Sequence, residues 1–552
     1  MLNVFHSSFL LGEEGQDGGE SVRQSPKPLL RSLRLAARMT SLLSLRRQAA
    51  RLVMVRLGSF LDPVRTAHDD CARVRALCDT YPLGGVLLFN ARWPAVANVL
   101  STLQDAASAP LLVGADIERG VGQQVDGATL LPHALSCGRA GPQAVRLLAR
   151  ITALEAAACG IHWAFAPVAD LRNEPRNPII ATRAFGDTAP EVIPAVTSYV
   201  DTAETHGLAT TAKHAPGHGR TTTDSHAERP CISASAATLA EHDARPFQAA
   251  IQAGVPALMT AHVSYPALDP QERPATASPP ILHELMRTQW GFDGLIVSDS
   301  LLMDGINAPG PQAAALVAAG VDMLLDPADP EAVIEGIAQA VHEGALSEIR
   351  LQQAVARVDR LAEWVKTNRR TGLYPDPQAA MHVGRPLHHR ASRAIARAGL
   401  EQSPGSSNRT VPGPNDLMVR LSARPSHRDN DQALREALEA ACPGTPYLTC
   451  TADASPEHCA DIARRVADAQ AVWTFMAVEP AAWQDFRLPD SHAPVLQALR
   501  SHPHVTAIAL GSPHVLQEVP TAATTLSVHS DVPAAQEAAV EWIATTDTVT
   551  NP

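Results

Sequence analysis

The feature that most constrains the fold is an alternation of short apolar runs with alanine-rich amphipathic stretches, which begins near residue 51. The apolar runs are continuous, as expected for strands that are buried on both faces of a parallel sheet. Helix-like segments separate them, for example Gly141–Ala158, Ala236–Ala253 and Pro330–Glu343. The strand candidates are Leu52–Leu57, Gly85–Phe89, Leu111–Ala115, Ala164–Ala169, Leu208–Lys213, Ala257–His262, Leu295–Asp299 and Val321–Asp326. Eight such units over about 320 residues predict an α/β protein with a (β/α)8 barrel.

The pattern breaks after the eighth unit. Residues 366–416 are rich in Pro, Gly, Ser and Arg without sustained periodicity, which indicates a linker. A second rhythm starts near residue 417 and predicts a smaller α/β sandwich with strands Leu417–Leu421, Ala471–Met476, Val505–Ala509 and Thr524–Val528. We therefore predict an N-terminal extension over 1–47, a barrel over 48–372, a linker over 373–415 and a C-terminal domain over 416–552.

Composition excludes several classes of protein. The 552 residues carry a formal charge of −12, whereas a general nucleic-acid binder needs a basic face. No window approaches the run of about 20 apolar residues that a membrane span requires. The eight cysteines form no CxxC pair, which disfavours a zinc finger. A domain of this size needs no disulfides, so we expect reduced thiols, and a pairing of Cys442 with Cys450 or Cys459 stays open. With no clear signal peptide in the sequence, these features favour a cytoplasmic location.

Polar side chains gather where the predicted strands end. Asp116 and Asp170 follow the third and fourth strands. The fifth closes on Lys213-His214, the sixth on His262 and the seventh on Asp299. Since a barrel of this type keeps its chemistry at the carboxyl ends of its strands, we expect an active site there.

The stretch from Lys213 to His226 holds a lysine, an aspartate and three histidines, and Pro216-Gly217 keeps it from being helical. Three interpretations compete: a metal site on His214, His218 and His226, a solvated loop without chemistry, or a substrate-binding and acid/base segment. A zinc-binding H-x-x-x-H pair needs a helix, which disfavours the first. In the third, which we favour, Asp224 and His226 lie on one side of an extended segment and form an acid/base dyad.

Asp299 directly follows an apolar strand, so its carboxylate is expected at the barrel mouth. Taken alone, an aspartate at this point is a typical helix N-cap. Together with the histidine segment it becomes a candidate nucleophile. We expect Asp170 to brace the loop that follows it, and His133 to be an ordinary core or surface residue.

The motifs together resemble glycoside hydrolase family 3. They are FAPVADLRNEPRNPIIATRAFG at 165–186, KHAPGHG from Lys213, TDSH ending at His226, and TAHVSYPALDP followed by PATASPPILHELMRTQWGFDGLIVSDSLLM, which ends at Met303. The resemblance covers residues 48–372 and is strongest to the β-N-acetylglucosaminidase branch, in which an Asp–His dyad serves as acid/base.

The resemblance implies a role for each matching residue. Asp299 matches the nucleophile, and His226, oriented by Asp224, matches the acid/base. The sugar-binding positions are matched by Asp116, Arg183, Lys213, His214 and, on the pocket floor, Met303. No cofactor or metal is implied.

The sequence departs from the family where the usual stretch is DQEGGRVQR, because residues 116–124 read DIERGVGQQ. Gln124 stands where the family has a sugar-binding arginine. Two alternatives remain open: Arg119 supplies a guanidinium from another position, or the contact is lost. Ala215 and Ser300 also replace the usual Phe and Asp.

These observations predict a retaining exo-β-N-acetylglucosaminidase that acts on a small saccharide or muropeptide in peptidoglycan recycling. A phosphorylase that uses phosphate as acceptor, and a β-glucosidase, are alternatives on the same fold. A catalytically silent carbohydrate-binding protein and a metal-dependent hydrolase are alternatives of another class.

Overall fold

The apolar runs of the first half of the chain pair into one parallel sheet. The computed structural model describes residues 42–222, 229–303, 306, 310–403, 411–480 and 486–545. The strands of this sheet are β1 (Val53–Leu57), β2 (Gly85–Leu88), β3 (Leu112–Ala115), β4 (Trp163–Ala164), β5 (Thr211–Ala215), β6 (Ala257–Thr260), β7 (Leu295–Ser300) and β8 (Met323–Leu325). Their order is β4-β3-β2-β1-β8-β7-β6-β5. Parallel bridges from Trp163 to Ala209 and from Val168 to Lys213 bring the two ends of the sheet together, which confirms the barrel.

Helices alternate with these strands along the chain. Those of the barrel region are Ala67–Thr80, Ala95–Ala106, Ala134–Ala140, Pro142–Cys159, Ala189–Thr205, Ala236–Thr238, Arg245–Gln252, Gly310–Ala319, Pro330–His342 and Glu348–Asn368, with π-helices at Leu239–Asp243 and Pro280–Gln289. Short 3-10 helices lie at Val121–Gln123, Ala181–Arg183 and Ala275–Ala277. The helix Ala67–Thr80 begins with a capping box between Thr66 and Asp69, which satisfies backbone N–H groups that have no intrahelical partner.

The barrel interior is filled by apolar side chains rather than open. Met54, Leu87 and Val297 are buried among Trp163 and Phe165, whose rings meet edge to face with centroids 4.9 Å apart. Burial of each such side chain contributes about 1.5–3 kcal/mol. Trp163 is therefore a core residue, and the polar groups of the strand ends lie above a packed floor.

The second half of the chain forms a separate sheet, with strands β9 (Glu401–Gln402), β10 (Leu417–Ser422), β11 (Tyr447–Cys450), β12 (Val472–Val478), β13 (Val505–Gly511) and β14 (Thr524–Ser527). Their order is β9-β14-β13-β12-β10-β11, and all pairs except β9–β14 are parallel. One face packs against helices Pro386–Ala398, Gln432–Ala441 and Pro533–Ala544, and the other against Pro456–Asp468 and Ala493–Ser501. Short 3-10 helices lie at Ala380–His382, Asp490–His492 and Pro513–Glu518. The predicted α/β sandwich is confirmed.

Two predicted elements differ in detail from the structure. The expected helix Ala236–Ala253 is present as three helical segments, Ala236–Thr238, the π-helix Leu239–Asp243 and Arg245–Gln252. The expected linker contains the helix Pro386–Ala398. The domain limits at 47, 372 and 415 stay predictions.

No helix within the described ranges is long and apolar enough to cross a membrane. All eight cysteines are free thiols, although the sulfur atoms of Cys450 and Cys459 lie 3.3 Å apart.

Candidate active site

A cavity of about 260 Å³ lies at the carboxyl ends of the barrel strands. Its described lining residues are Asp116, Glu118, Arg119, Gln123, Gln124, His133, Ile179, Arg183, Lys213, His214, His218, Asp299 and Pro480. Five predicted site residues are therefore brought together: Asp116, Arg183, Lys213, His214 and Asp299. Met303 is buried but is not among the lining residues, and Asp224 and His226 lie outside the described residues.

Lys213 links the strand ends electrostatically. Its Nζ lies 2.6 Å from Asp116 Oδ1 and 2.7 Å from Glu118 Oε1, and its side chain is almost fully buried. Burial lowers the pKa of Lys213, but the two carboxylates outweigh this effect and the net shift is upward. The lysine therefore stays charged and holds both acidic side chains at the cavity wall.

Glu118 is a site residue that the sequence analysis did not single out. Arg183 Nη2 and Nε donate to its two carboxylate oxygens over 2.8 and 3.0 Å, a bidentate geometry. Burial opposes ionisation of Glu118, yet Arg183 and Lys213 together hold its pKa well below the usual range. The sequence signal for this role is that Glu118, two residues after Asp116, matches the Glu of the family stretch DQEGGRVQR.

Asp170 braces the segment that carries Lys213 and His214, which is a different segment from the loop after Asp170 that the sequence suggested. Its fully buried carboxylate accepts from the backbone N–H of His214 at 3.0 Å, from the backbone N–H of His218 at 2.6 Å and from His214 Nδ1 at 2.7 Å. Burial raises the pKa of Asp170, but the two histidines more than offset this and the net shift is downward. An ionised carboxylate can only accept, so His214 carries a proton on Nδ1 and turns Nε2 toward the cavity.

His214 Nε2 reaches two functional groups. It lies 3.4 Å from Arg183 Nη2 and 4.0 Å from Asp299 Oδ2. His218, beside it with ring centroids 5.8 Å apart, is buried, and this burial together with the neighbouring imidazole lowers its pKa to about 4. His218 therefore contributes a neutral ring to the wall.

Asp299 is the fifth residue of β7, and its side chain is 21% exposed. Its Oδ1 accepts from the backbone N–H of Ser300 at 2.7 Å. Residues 301–303 form a turn rather than the first turn of a helix, so Asp299 does not cap one. The carboxylate instead faces the cavity that holds the charged network.

His262 makes structural hydrogen bonds next to this site. Its Nδ1 lies 2.8 Å from Thr276 Oγ1, and its Nε2 lies 3.1 Å from the carbonyl oxygen of Ser300. These contacts indicate that His262 supports the strand end that carries Asp299.

The second domain supplies one wall of the cavity through Pro480, which follows β12. His133, expected to be an ordinary residue, lies beside it and contacts Glu479 across the domain interface at 3.4 Å. Glu479 Oε2 accepts from Arg424 at 2.6 Å and Oε1 from the backbone N–H of Asp531 at 2.9 Å. Burial opposes ionisation of Glu479, but His133, Arg424 and Arg119 lower its pKa to about 2. This carboxylate is ion-paired and ionised, which makes it unsuited to donate a proton.

Residue types that bind metals are present, but the described part of the chain contains no group of three or more His, Cys, Asp or Glu side chains arranged to hold an ion. Of the three histidines weighed for a metal site, His214 and His218 are described and His226 is not.

The chain is similar to known proteins of one family. Residues 44–361 match the model of the glycosyl hydrolase family 3 N-terminal domain. The chain is 33% identical over 339 residues to a β-N-acetylglucosaminidase/β-glucosidase of Cellulomonas fimi, a match that covers 58% of this chain and 60% of that protein. It is 34% identical over 326 residues to a β-hexosaminidase of Alkalilimnicola ehrlichii, covering 54% of this chain and 92% of the relative.

A solved structure resembles both domains. It is a glycoside hydrolase family 3 β-N-acetylglucosaminidase from Paenibacillus sp. str. FPU-7, with a TM-score of 0.81 and 26% identity, over 91% of this chain and 97% of that one. The likeness extends across the barrel and the sandwich.

Proposed function

This chain belongs to glycosyl hydrolase family 3, and on that premise we propose that it is a retaining exo-β-N-acetylglucosaminidase. The observation that carries the proposal is the convergence of Asp299 with Asp116, Arg183, Lys213 and His214 on one cavity. A carboxylate nucleophile beside fixed donors and acceptors is what cleavage of a glycosidic bond requires. The names of the relatives point to β-linked N-acetylhexosamine as the sugar.

In this proposal Asp299 attacks the anomeric carbon. The bond from that carbon to the leaving oxygen breaks through an oxocarbenium-like transition state, and a covalent glycosyl-enzyme forms. His226, oriented by Asp224, protonates the leaving oxygen. In the second half-reaction His226 accepts a proton from water, whose oxygen attacks the same carbon and releases Asp299. Arg183 and His214 are the described cavity residues whose charge or ring lies near Asp299.

The remaining predicted residues bind the sugar. Asp116 and Lys213 present an ion pair that can accept from and donate to hydroxyl groups, and charge-assisted bonds of this kind are the strong ones. Arg183 and His214 line the same cavity. Met303, predicted on the pocket floor, is buried and is not one of the described lining residues.

The size of the cavity supports cleavage of a terminal residue. Its volume of about 260 Å³ is below the range of about 300–1,000 Å³ that is typical of ligand pockets. One wall is formed by Pro480 of the second domain, so the cavity suits one sugar ring rather than the middle of a long polysaccharide.

The natural substrate we propose is a small saccharide or muropeptide ending in β-linked N-acetylglucosamine, in peptidoglycan recycling. We further propose a cytoplasmic location, a reducing compartment in which the eight cysteines would stay thiols. Cell fractionation with a thiol-alkylation assay tests this: enzyme found with oxidised cysteines outside the cytoplasm would contradict it.

The function itself is tested with chromogenic substrates. The full chain is assayed on 4-nitrophenyl β-N-acetylglucosaminide and on the matching glucoside, each with and without inorganic phosphate. We expect preferential hydrolysis of the acetamido sugar. Turnover that requires phosphate and releases a sugar phosphate would identify a phosphorylase. Preference for the glucoside would favour a β-glucosidase, and binding without turnover a silent carbohydrate-binding protein.

The acid role of His226 has its own test. His226→Ala removes the proton donor, so kcat should fall by about 10² to 10⁴ on a disaccharide, whose leaving group is poor. The loss should be much smaller on a dinitrophenyl glycoside, whose leaving group needs no proton. Equal losses on both substrates would contradict the assignment.

A further inference from the structure

Arg119 differs from the other cationic side chains of the cavity. Among the described lining residues the arginine and lysine side chains are Arg119, Arg183 and Lys213. Arg183 and Lys213 are ion-paired with Glu118. The guanidinium of Arg119 faces the same cavity and makes no hydrogen bond with any residue in the described part of the chain, although the charges of Glu479 and Glu118 act on it from a distance.

The backbone of Arg119 is nevertheless held firmly. Its N–H donates to Gln123 Oε1 at 3.0 Å, and its carbonyl oxygen accepts from the N–H of Leu131 at 2.8 Å. The next residue, Gly120, has a φ of 83°, a conformation that favours glycine. This loop therefore presents the arginine side chain from a fixed position instead of leaving it on a mobile surface.

Gln124 does not supply the donors that Arg119 offers. Its Nε2 already donates to the backbone carbonyl of Asp116 at 3.0 Å, and its Oε1 is buried without a hydrogen-bond partner. An arginine does not lose its proton in proteins, so its five N–H groups stay donors and need acceptors in a closed site. The ligand is the natural source of those acceptors.

The surroundings of Arg119 indicate which part of the ligand it meets. Asp299 Oδ2 lies 4.0 Å from His214 Nε2, whereas the charge of Arg119 acts on His133 and on Glu479 of the second domain, which places Arg119 toward the side closed by that domain. When the anomeric carbon is held at Asp299, a single pyranose ring presents its C4 and C6 hydroxyl groups on the far side.

We propose that Arg119 determines specificity by binding the C4 or C6 hydroxyl oxygen of the terminal sugar, at the end remote from the bond that is cleaved. This inference rests on the proposed function, which supplies the sugar and its orientation. A guanidinium forms a charge-assisted fork that recognises such oxygens in fixed geometry. Arg119 is thus a binding residue, and Asp299 acts without it on the bond itself.

The test couples substitutions in the enzyme to deletions in the substrate. Wild type, Arg119→Gln and Arg119→Lys are assayed on 4-nitrophenyl β-N-acetylglucosaminide and on its 4-deoxy and 6-deoxy analogues. Arg119→Gln should lower kcat/KM on the full sugar by about 10- to 100-fold, mainly through KM. On the analogue that lacks the contacted hydroxyl, wild type and variant should agree within about twofold. Arg119→Lys, which keeps the charge without the fork, should recover part of the loss.

Controls separate recognition from folding. Arg92→Gln removes an arginine whose side chain is 77% exposed and should change neither substrate series nor the unfolding midpoint. An equal loss for Arg119→Gln on all three sugars, or a loss that follows a lowered unfolding midpoint, would overturn the proposal.

Failure of the proposed function is a different outcome. If wild type cleaves glucosides instead, the loss caused by Arg119→Gln is compared on the glucoside and on its 4-deoxy and 6-deoxy analogues. That comparison tests the role of Arg119 even though the acetamido sugar is not the substrate. If wild type cleaves neither sugar, calorimetric titration with N-acetylglucosamine and its deoxy analogues applies the same criterion to binding. Absence of coupling in that titration, or of binding altogether, would overturn the proposal.

Discussion

The carboxyl edges of the two sheets carry similar acidic residues, but these residues differ in exposure and in ion pairing. At the barrel edge Asp116 and Asp299 keep side chains that are 31% and 21% exposed to the cavity. At the edge of the second sheet Asp429, Glu479 and Asp531 are at most 5% exposed and are paired with arginines. The position of a charged group at a strand end therefore does not make it catalytic. What matters is whether its neighbours leave one side of it open to a ligand.

At the second edge the charged side chains are paired with one another. Arg420, fully buried in β10, donates to Asp429 at 2.7 and 3.0 Å and to Asp531 at 2.8 and 3.2 Å. Burial disfavours the charged form of Arg420, but the two carboxylates outweigh it and hold its pKa well above the usual range. With its donors used inside the fold, this edge can position Pro480 at the cavity but offers few groups to a substrate.

The largest effect is expected from Asp299→Ala at the open edge. Removal of the nucleophile should lower kcat/KM by at least about 10⁴, the scale seen when a nucleophile is deleted from other enzymes. Asp293→Ala, which changes an aspartate whose side chain is 71% exposed, is the matched control and should retain activity. Steady-state kinetics on the chromogenic glycoside decides this, and a loss under tenfold would remove Asp299 from the mechanism.

At the closed edge the expected effect is on stability. Arg420→Met leaves Asp429 and Asp531 buried without their cation, which should lower the free energy of unfolding by about 3–5 kcal/mol. The folded fraction should keep its kcat/KM, because Arg420 does not line the cavity. Urea unfolding and kinetics on the same preparation measure both. A large fall in kcat/KM with unchanged stability would contradict the claim that the second edge acts on stability rather than on catalysis.

Asp170 shares a feature with each edge: it is fully buried, like the charged residues of the second sheet, and it holds His214, which lines the cavity. Asp170→Asn places an amide N–H₂ against the N–H donors of His214 and His218, so the histidine is displaced. A displacement of about 1 Å at a catalytic centre costs up to about 100-fold in rate, and we expect a 10- to 100-fold lower kcat/KM. The exposed Asp201 gives the control Asp201→Asn. Unchanged kinetics would mean that His214 does not need its brace.

The smallest effect concerns the pH dependence of stability. Burial lowers the pKa of His218 to about 4 and that of His133 to about 3, so both remain neutral in the folded chain. In the unfolded chain they take up protons near pH 6.5, so the unfolded state binds more protons below that value. The free energy of unfolding should therefore decrease as pH falls from about 6.5 to about 4, by at most about 3 kcal/mol for His218. Urea unfolding at several pH values checks the slope, which His218→Gln should reduce; an identical slope would contradict this.

The sequence predicts the barrel edge better than the second domain because the barrel signal is local. Continuous apolar runs mark strands that are buried on both faces, and the residue that follows each run marks the site. β11 (Tyr447–Cys450), an edge strand with half-buried side chains, carries little of that signal. Helix Pro386–Ala398 was assigned to a linker because its buried face includes His388 and Ser392, which hydrogen-bond to Glu155 and to the carbonyl of Leu130.

The missed site residues have a different cause. His133 and Pro480 are far apart in the chain and meet only when the two domains pack, so no spacing in the sequence relates them. Glu118 lies in the quoted stretch after the third strand, but its importance follows from Arg183 and Lys213, which approach it from other elements. Motifs locate groups that one segment carries, whereas these contacts are long-range products of folding.

The central claim is that Asp299 forms a bond to the sugar at the open edge of the barrel. An activated fluoro-N-acetylglucosaminide, which forms the intermediate faster than it is hydrolysed, can trap this state for peptide mass mapping. We predict one added sugar on the peptide that contains Asp299 and none on Asp299→Ala. A sugar attached to another residue, or an unlabelled enzyme that releases product of inverted anomeric configuration, would contradict the account.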